Sequence, residues 1–319
     1  MPGKHVCTRI FRVSAILSLA VGMAPVHLQG ASDLEQRLRD QYKDKIFVLR
    51  GFNQGARLTY DSGGVPDSAS ANPGDWTVDG FVRVTSVDLS GQGLTIKAER
   101  LYLGVADGMG FQFWQPKLDK DKEKKEKKAR ELRIEVAVDA GGHTAEAALS
   151  KIFLTAGDRL AELVPDYWTP CVRAASTGRT VKGLSDCRFS PEFDEIPGVV
   201  SRPEENRGAE AADSDATALY GEIVPTTDRS VTRAKIVRQL NPEFSEEARI
   251  TKYQGTITLA IIVDKTGRAK SIRIMRPIGI GLDQKAVEAV SKWQFEPALK
   301  DGEPIAMGPI PVEVDFHLY

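Results

Sequence analysis

The chain has 319 residues, of which 41% are hydrophobic and 27% charged, and its net charge at pH 7 is −1. That length can bury one or two ordinary cores. The near-neutral balance gives no overall electrostatic case for nucleic acid or an anionic membrane surface as partner.

Residues 1–30 read as an export signal. Lys4, Arg9 and Arg12 make a basic start, Val13–Ala24 is apolar, and Pro25 precedes the small residues Gly30, Ala31 and Ser32. The run is short of the roughly 20 residues that a membrane span needs. A cleaved signal and a periplasmic protein are expected. An inner-membrane anchor is the alternative, because the uncharged stretch extends to Leu28. Cys7 lies in the basic start and leaves with the signal.

Residues 33–187 read as a β-rich α+β domain with no role assigned. Leu34–Lys45 is a helix-like lead-in. Ile46–Phe52 and Ala56–Tyr60 are expected to pair across Asn53 to Gly55. Asp61–Asp75 is a loop rich in Gly, Ser, Pro and Asn. Trp76–Leu89 and Leu94–Val105 form a long hairpin, with Val82, Val84 and Val87 against Leu94, Ile96 and Leu101. Leu132–Val138 is another strand, and His143–Leu154 a helix with Ala147, Ile152 and Phe153 inward. Lys117–Arg133 is almost entirely charged. Its mixed signs and lack of interleaved aromatics favour a solvated helix or loop over a basic patch for membrane or cell-wall polymer.

Cys171 and Cys187 are sixteen residues apart in a chain expected to be exported. A metal site needs about four ligands, so a disulfide is the expected state. In the chain-entropy account a loop of that size stabilises by roughly 3 kcal/mol. Residues 188–229 then read as a flexible linker: hydrophobic periodicity stops, and small and acidic residues dominate Glu204–Ala218. Beyond the signal only His143 and His317 remain as histidines, and no nucleophile elbow, phosphate loop, dinucleotide fingerprint or His-Glu-x-x-His occurs. No catalytic, cofactor-binding or metal-binding residue is expected, and the chain reads as non-enzymatic.

Residues 230–319 carry the strongest pattern. Ser245 can cap a short helix that has Glu246 and Glu247 in its first turn. Gly255–Asp264 alternates with period two, Gly267 supplies the positive φ of a tight turn, and Ser271–Met275 returns as a second strand. Leu282, Ala286, Ala289, Val290 and Trp293 form one apolar helix stripe, with Asp283 near its start. Pro297 stops that helix. Val312, Val314, Phe316 and Leu318 then alternate with Glu313, Asp315, His317 and Tyr319 in a closing strand with one wet face. The order is α-β-β-α-β, a small α+β unit.

These blocks resemble the C-terminal domain of the TonB family of periplasmic energy transducers. The resemblance rests on Asn241-Pro-Glu-Phe-Ser, Gly255-Thr-Ile-Thr-Leu, Val263-Asp-Lys-Thr-Gly, Trp293-Gln-Phe-Glu-Pro, Asp301-Gly and the closing Val312–Leu318, and it covers roughly 232–319. Ser245 stands where the family usually has a second Pro. The resemblance implies that the last strand is a sheet edge, to which the extended N-terminal segment of a TonB-dependent outer-membrane transporter adds as another strand. The residues implied in that contact are Val312, Glu313, Val314, Asp315, Phe316, His317 and Leu318, with Asn241 nearby. Self-association through the same edge is a further expectation.

Two departures bear on energised import. The family's transducers keep an N-terminal helix that contacts inner-membrane motor proteins and carries a Ser followed four residues later by a His. Here Ser14 is followed at that distance by Ser18, and Ser18 by Gly22. The linker over 188–229 also lacks the long proline-rich character of the family's spacer. The expected function is therefore transporter binding in support of nutrient import. The alternative is a scaffold or sensor that uses the domain for other protein contacts without a motor.

Overall fold

The computed structural model describes residues 26–91, 93–106, 109–116, 118, 120–139, 142–179, 181, 183–184, 186–200, 223–227 and 230–318. Nearly all of the expected export signal, and the acidic centre of the expected linker, lie outside these residues. Among the described residues no helix is long and apolar enough to cross a membrane. The architecture is α+β, with a β-rich N-terminal part and a C-terminal part built on a second sheet.

The N-terminal part runs α1 (Val26–Tyr42), β1 (Ile46–Val48), β2 (Arg57–Tyr60), α2 (Trp76–Asp79), β3 (Phe81–Ser90), β4 (Gly93–Leu101), β5 (Leu103–Ala106), β6 (Gly110–Phe113), α3 (Lys120–Arg130), β7 (Glu131–Ala137), α4 (Ala145–Ile152) and α5 (Thr169–Thr177). The β3–β4 hairpin forms as its alternation requires and is the centre of a five-stranded sheet ordered β1-β3-β4-β7-β2. One face is apolar. Val82, Val84, Val87, Leu94, Ile96, Leu132, Ile134 and Val136 are buried there under Leu34, Leu38 and Tyr42 of α1 and Ala145, Ala148 and Leu149 of α4.

Four local expectations are corrected. β1 and β2 do not pair; they occupy opposite borders of the sheet, β1 against β3 and β2 parallel to β7. The long-range partners bury both strands better than a two-stranded ribbon could. Trp76–Asp79 is a helical turn rather than strand, because the Asp75 carboxylate accepts from the Thr77 N–H and caps it. In α4 it is Ala148 that turns inward, while Ala147 is exposed. The expected linker also begins too early. Arg188 and Ser190 bond to Phe111 of β6, and Phe193, Ile196 and Val199 are buried in the core, so 188–200 belongs to the folded body.

The charged stretch forms α3, whose side chains are exposed apart from Glu126 and, in part, Arg130. Arg130 pairs with Glu126 one turn away and with Glu99 of β4, which ties the helix to the sheet.

The C-terminal part runs β8 (Ile223–Val224), β9 (Lys235–Arg238), α6 (Glu246–Thr251), β10 (Gly255–Val263), β11 (Ala269–Arg276), α7 (Leu282–Val290), β12 (Gln294–Glu296), β13 (Ala298–Lys300) and β14 (Glu303–Phe316). Ser245 caps α6 by accepting from the Ala248 N–H. In the β10–β11 turn the Asp264 carboxylate accepts from the Thr266 and Arg268 N–H groups. Gly267 has φ of +75°, and a Cβ there would lie 2.0 Å from the Phe295 carbonyl, so only glycine fits. The closing strand is longer at its start than the alternation suggested. It begins at Glu303 and ends at Phe316, so His317 and Leu318 lie just beyond it.

The two parts share one core. Trp76, Phe111, Trp168 and Phe193 fall in the same buried cluster as Ile257, Leu259, Leu282, Trp293 and Phe316. Main-chain bonds stitch the seam: the Ile280 N–H donates to the Leu103 carbonyl at 2.8 Å, and the Val105 N–H to the Ile278 carbonyl at 3.1 Å. The Tyr253 hydroxyl donates to the Ile278 carbonyl at 2.8 Å, and its ring meets Trp114 edge to face. Cys171 of α5 and Cys187 are joined by a disulfide, which holds Cys187 beside β11.

Trp293 is 1% exposed, and its indole N–H donates to the Leu240 carbonyl at 2.9 Å. Trp293→Ala is expected to cost roughly 3–5 kcal/mol, the usual range for truncating a large buried aromatic. Denaturant melts of the whole chain check this; a loss below about 1 kcal/mol would place the ring outside the core. For the disulfide, thiol titration of the protein unfolded without reductant should find neither Cys171 nor Cys187 free. Two reactive thiols from this pair would contradict it.

Candidate functional site

The second sheet is ordered β11-β10-β14-β13, with β8 also on β14. Its two borders have different fates. At β11 the N-terminal part closes the edge: the Ile274 N–H donates to the Tyr167 carbonyl at 2.9 Å. Arg273 donates to the Asp166 carbonyl at 3.2 Å, and Arg276 pairs with Asp186 at 3.1 Å.

At β14 the closure is partial. One flank pairs with β10 from Phe316 opposite Gly255 to Ile310 opposite Ile261. The other flank is taken by β13 at 303–305 and by β8, in parallel, at 306–307. Among the described residues no strand or bridge occupies that flank from 308 to 316. Among the described residues a row of main-chain groups is therefore open there.

Proline tells which groups are open. Pro311 lies opposite Ala260. It has no N–H, and proline is confined in sheets to positions whose nitrogen faces away from the ladder. Backbone direction alternates along a strand. Pro311, Glu313 and Asp315 thus turn toward the open flank, and Val312, Val314 and Phe316 toward β10. Two contacts agree with this assignment. The Leu318 N–H, in step with Phe316, donates to Gln254 on the β10 side at 2.8 Å. The Thr256 hydroxyl reaches the Asp315 carboxylate directly across, as the closer side chains of a non-hydrogen-bonded pair allow.

Side chains divide the same way. Val312, Val314 and Phe316 are buried, and Phe244 meets Phe316 edge to face at 5.3 Å. Pro309, Pro311, Glu313 and Asp315 are exposed on the far side, followed by exposed His317. Asn241 is exposed at the start of the segment that brings Phe244 to this corner. The sequence reading grouped 312–318 as one patch. The structure separates it into open donors at Glu313 and Asp315 and an inward row that cannot be altered without touching the core. It also adds Thr256, Thr258 and Phe244, which no contact pattern in the sequence names. Pro311 was the available signal, being in step with Glu313 and Asp315.

A second polar cluster lies at the seam. A cavity of about 500 Å³ is lined by residues that include Asp75, Asp79, Arg100, Glu247, Gln284 and Lys285. Its buried charges hold the fold. Arg100 donates to the Asp79, Asn53 and Gly55 carbonyls and pairs with the Asp79 carboxylate at 3.1 Å. Burial pushes the Asp79 carboxyl up to about 7 against the pull of Arg100. Nearby, the Asp283 carboxylate accepts from the Ile278 and Gly279 N–H groups and shapes the turn that meets β5.

Comparison with known proteins bears on the C-terminal part, and the family match falls on residues 240–318. Those residues match the family described as Gram-negative bacterial TonB protein C-terminal. The chain is 32% identical over 74 residues to Protein TonB of Vibrio cholerae serotype O1, covering 23% of this chain and 30% of that protein. It is 36% identical over 78 residues to Protein tonB2 of Pseudomonas aeruginosa, covering 24% and 28%. The chain thus spans under a third of the length of these curated relatives. A solution NMR structure of the Pseudomonas aeruginosa TonB C-terminal domain aligns over 30% of this chain and 95% of its own, with 19% identity and a TM-score of 0.23. Residues 240–318 are a TonB C-terminal domain, set at the end of a β-rich part that the two sequence matches do not reach.

Proposed function

We propose that this is an exported periplasmic protein whose C-terminal domain captures the extended N-terminal segment of an outer-membrane transporter by strand addition, in the service of nutrient import. The observation that carries the reading is the open flank of β14 over 308–316, on a domain of the TonB family. An extended peptide laid there gains main-chain hydrogen bonds without rearranging the sheet. No chemistry is asked of the protein, and none of its residues is assigned a catalytic role.

The alternative, a periplasmic scaffold or sensor without motor coupling, draws support from the seam. A C-terminal domain that shares a core with a second folded part is suited to presenting that part to whatever the edge binds.

Single prolines test the first reading. Glu313→Pro and Asp315→Pro remove open donors, so they should leave the melting curve close to wild type and abolish capture of a synthetic peptide carrying the transporter segment. Val314→Pro removes a donor aimed at β10 and should unfold the C-terminal part. Wild-type affinity in the folded Glu313 and Asp315 variants would remove strand addition at this edge and leave the scaffold reading.

A further inference from the structure

Main-chain pairing is indifferent to sequence, but the side chains that flank it are not. On the exposed face of the second sheet the charges are sorted by strand. Reading across, Glu313 is followed by Thr258 and then Arg276, and Pro311 by Ala260 and then Arg273. Lys270 of β11 lies opposite Ile262 further along. Cations therefore sit at the β11 border and carboxylates at the β14 border.

The two borders are not equivalent in their partners. Arg276 is engaged with Asp186, and Arg273 with the Asp166 carbonyl. Two strand spacings separate β11 from β14, about 10 Å, which is about one Debye length at ordinary salt, so salt weakens the attraction between the two rows. Glu313 and Asp315 are exposed, in step with one another, and lie directly on the open flank. Asp315 accepts one hydrogen bond, from Thr256. A residue of an added strand directly beside them would have its Cβ about 5 Å away, where opposite charges favour pairing and like charges oppose it.

We infer that the segment accepted by β14 is an extended peptide with Lys or Arg at the alternate positions beside Glu313 and Asp315. Its intervening positions are apolar, continuing the inward row of Val312, Val314 and Phe316 at the corner closed by Phe244. This rests on the strand-addition reading and adds the partner's chemistry to it. The same charges act against a second copy of the chain. An antiparallel copy on this flank would bring the Glu313 and Asp315 rows of the two molecules face to face, and like charges directly opposite are destabilising. The edge is thereby biased away from self-pairing and toward a cationic, alternating partner.

The experiment uses the full exported chain and two labelled octapeptides, one alternating Val with Lys and one alternating Val with Glu. Fluorescence anisotropy at low salt should show the Lys peptide binding about tenfold more tightly, from two charge pairs of ordinary cross-strand size. The gap should narrow as salt rises. Glu313→Lys with Asp315→Lys should reverse the preference. Glu313→Gln with Asp315→Asn, the milder pair, should erase it while leaving the circular dichroism spectrum and melting curve unchanged. Equal binding of both peptides, or a preference unmoved in the folded variants, overturns the charge rule and leaves strand addition standing. Failure of both peptides to bind overturns both. A wild-type dimer in sedimentation that disappears in Glu313→Pro would also overturn the inference, by naming a second copy as the occupant.

Discussion

Every β-sheet ends in two rows of main-chain N–H and C=O groups, and what satisfies each row decides how this molecule can be used. The β11 row is answered from within the chain, by the Tyr167 carbonyl and the residues around it. Among the described residues the β14 row is answered only where β13 and β8 reach it. Had the N-terminal part docked on the other border, the flank at 308–316 would be covered and the β11 row would be the one left to offer. The placement of one folded part therefore sets the accessibility of the other.

That placement is held by several kinds of force at once. The aromatic cluster around Trp76, Phe111, Trp168 and Phe193 runs into the core beneath β10 and α7, so apolar burial favours the docked arrangement. Main-chain bonds between β5 and residues 278–280 set its register. Gly279 lets the strands approach, since a Cβ there would lie 2.2 Å from the Leu103 carbonyl. The disulfide and the Arg276–Asp186 pair then secure the segment beside β11. The C-terminal domain is best regarded as one lobe of a larger body rather than as a module on a tether.

How much of this could be read from the sequence follows from the range of the interactions. The β10–β11 hairpin, its Gly267 turn, the Ser245 cap and the α7 stripe depend on neighbours a few residues away, and period and residue type expose such features directly. Strand partners did not follow so easily: Ile46–Val48 and Arg57–Tyr60 are adjacent in sequence yet pair with β3 and β7 at opposite borders. Residues 188–200 looked like a linker because their apolar residues keep no strand or helix period; they form a short 3-10 turn at Pro191–Phe193 and bends, with Phe193 inside the aromatic cluster. The seam was illegible for a different reason. Its main-chain bonds use carbonyl and amide groups, which every residue carries, and its apolar contacts join side chains far apart in sequence, such as Trp114 and Tyr253, so no local pattern marks it. At the β14 edge the alternation of 312–318 was legible, but the distinction between open and inward donors needed the register that places Pro311 opposite Ala260.

The geometry of the open flank also has a mechanical side. Hydrogen bonds between strands lie perpendicular to the strand axis. A segment paired along 308–316 and drawn lengthwise would load all of its bonds together in shear. One drawn sideways would open them in succession from one end. On the far side of the sheet, the Ile274–Tyr167 bond, the Arg276–Asp186 pair and the shared core tie β11 into the N-terminal part. Tension arriving at β14 along the strand thus passes through β10 and β11 into the whole folded body, and the grip is strongest in the one direction that follows the strand.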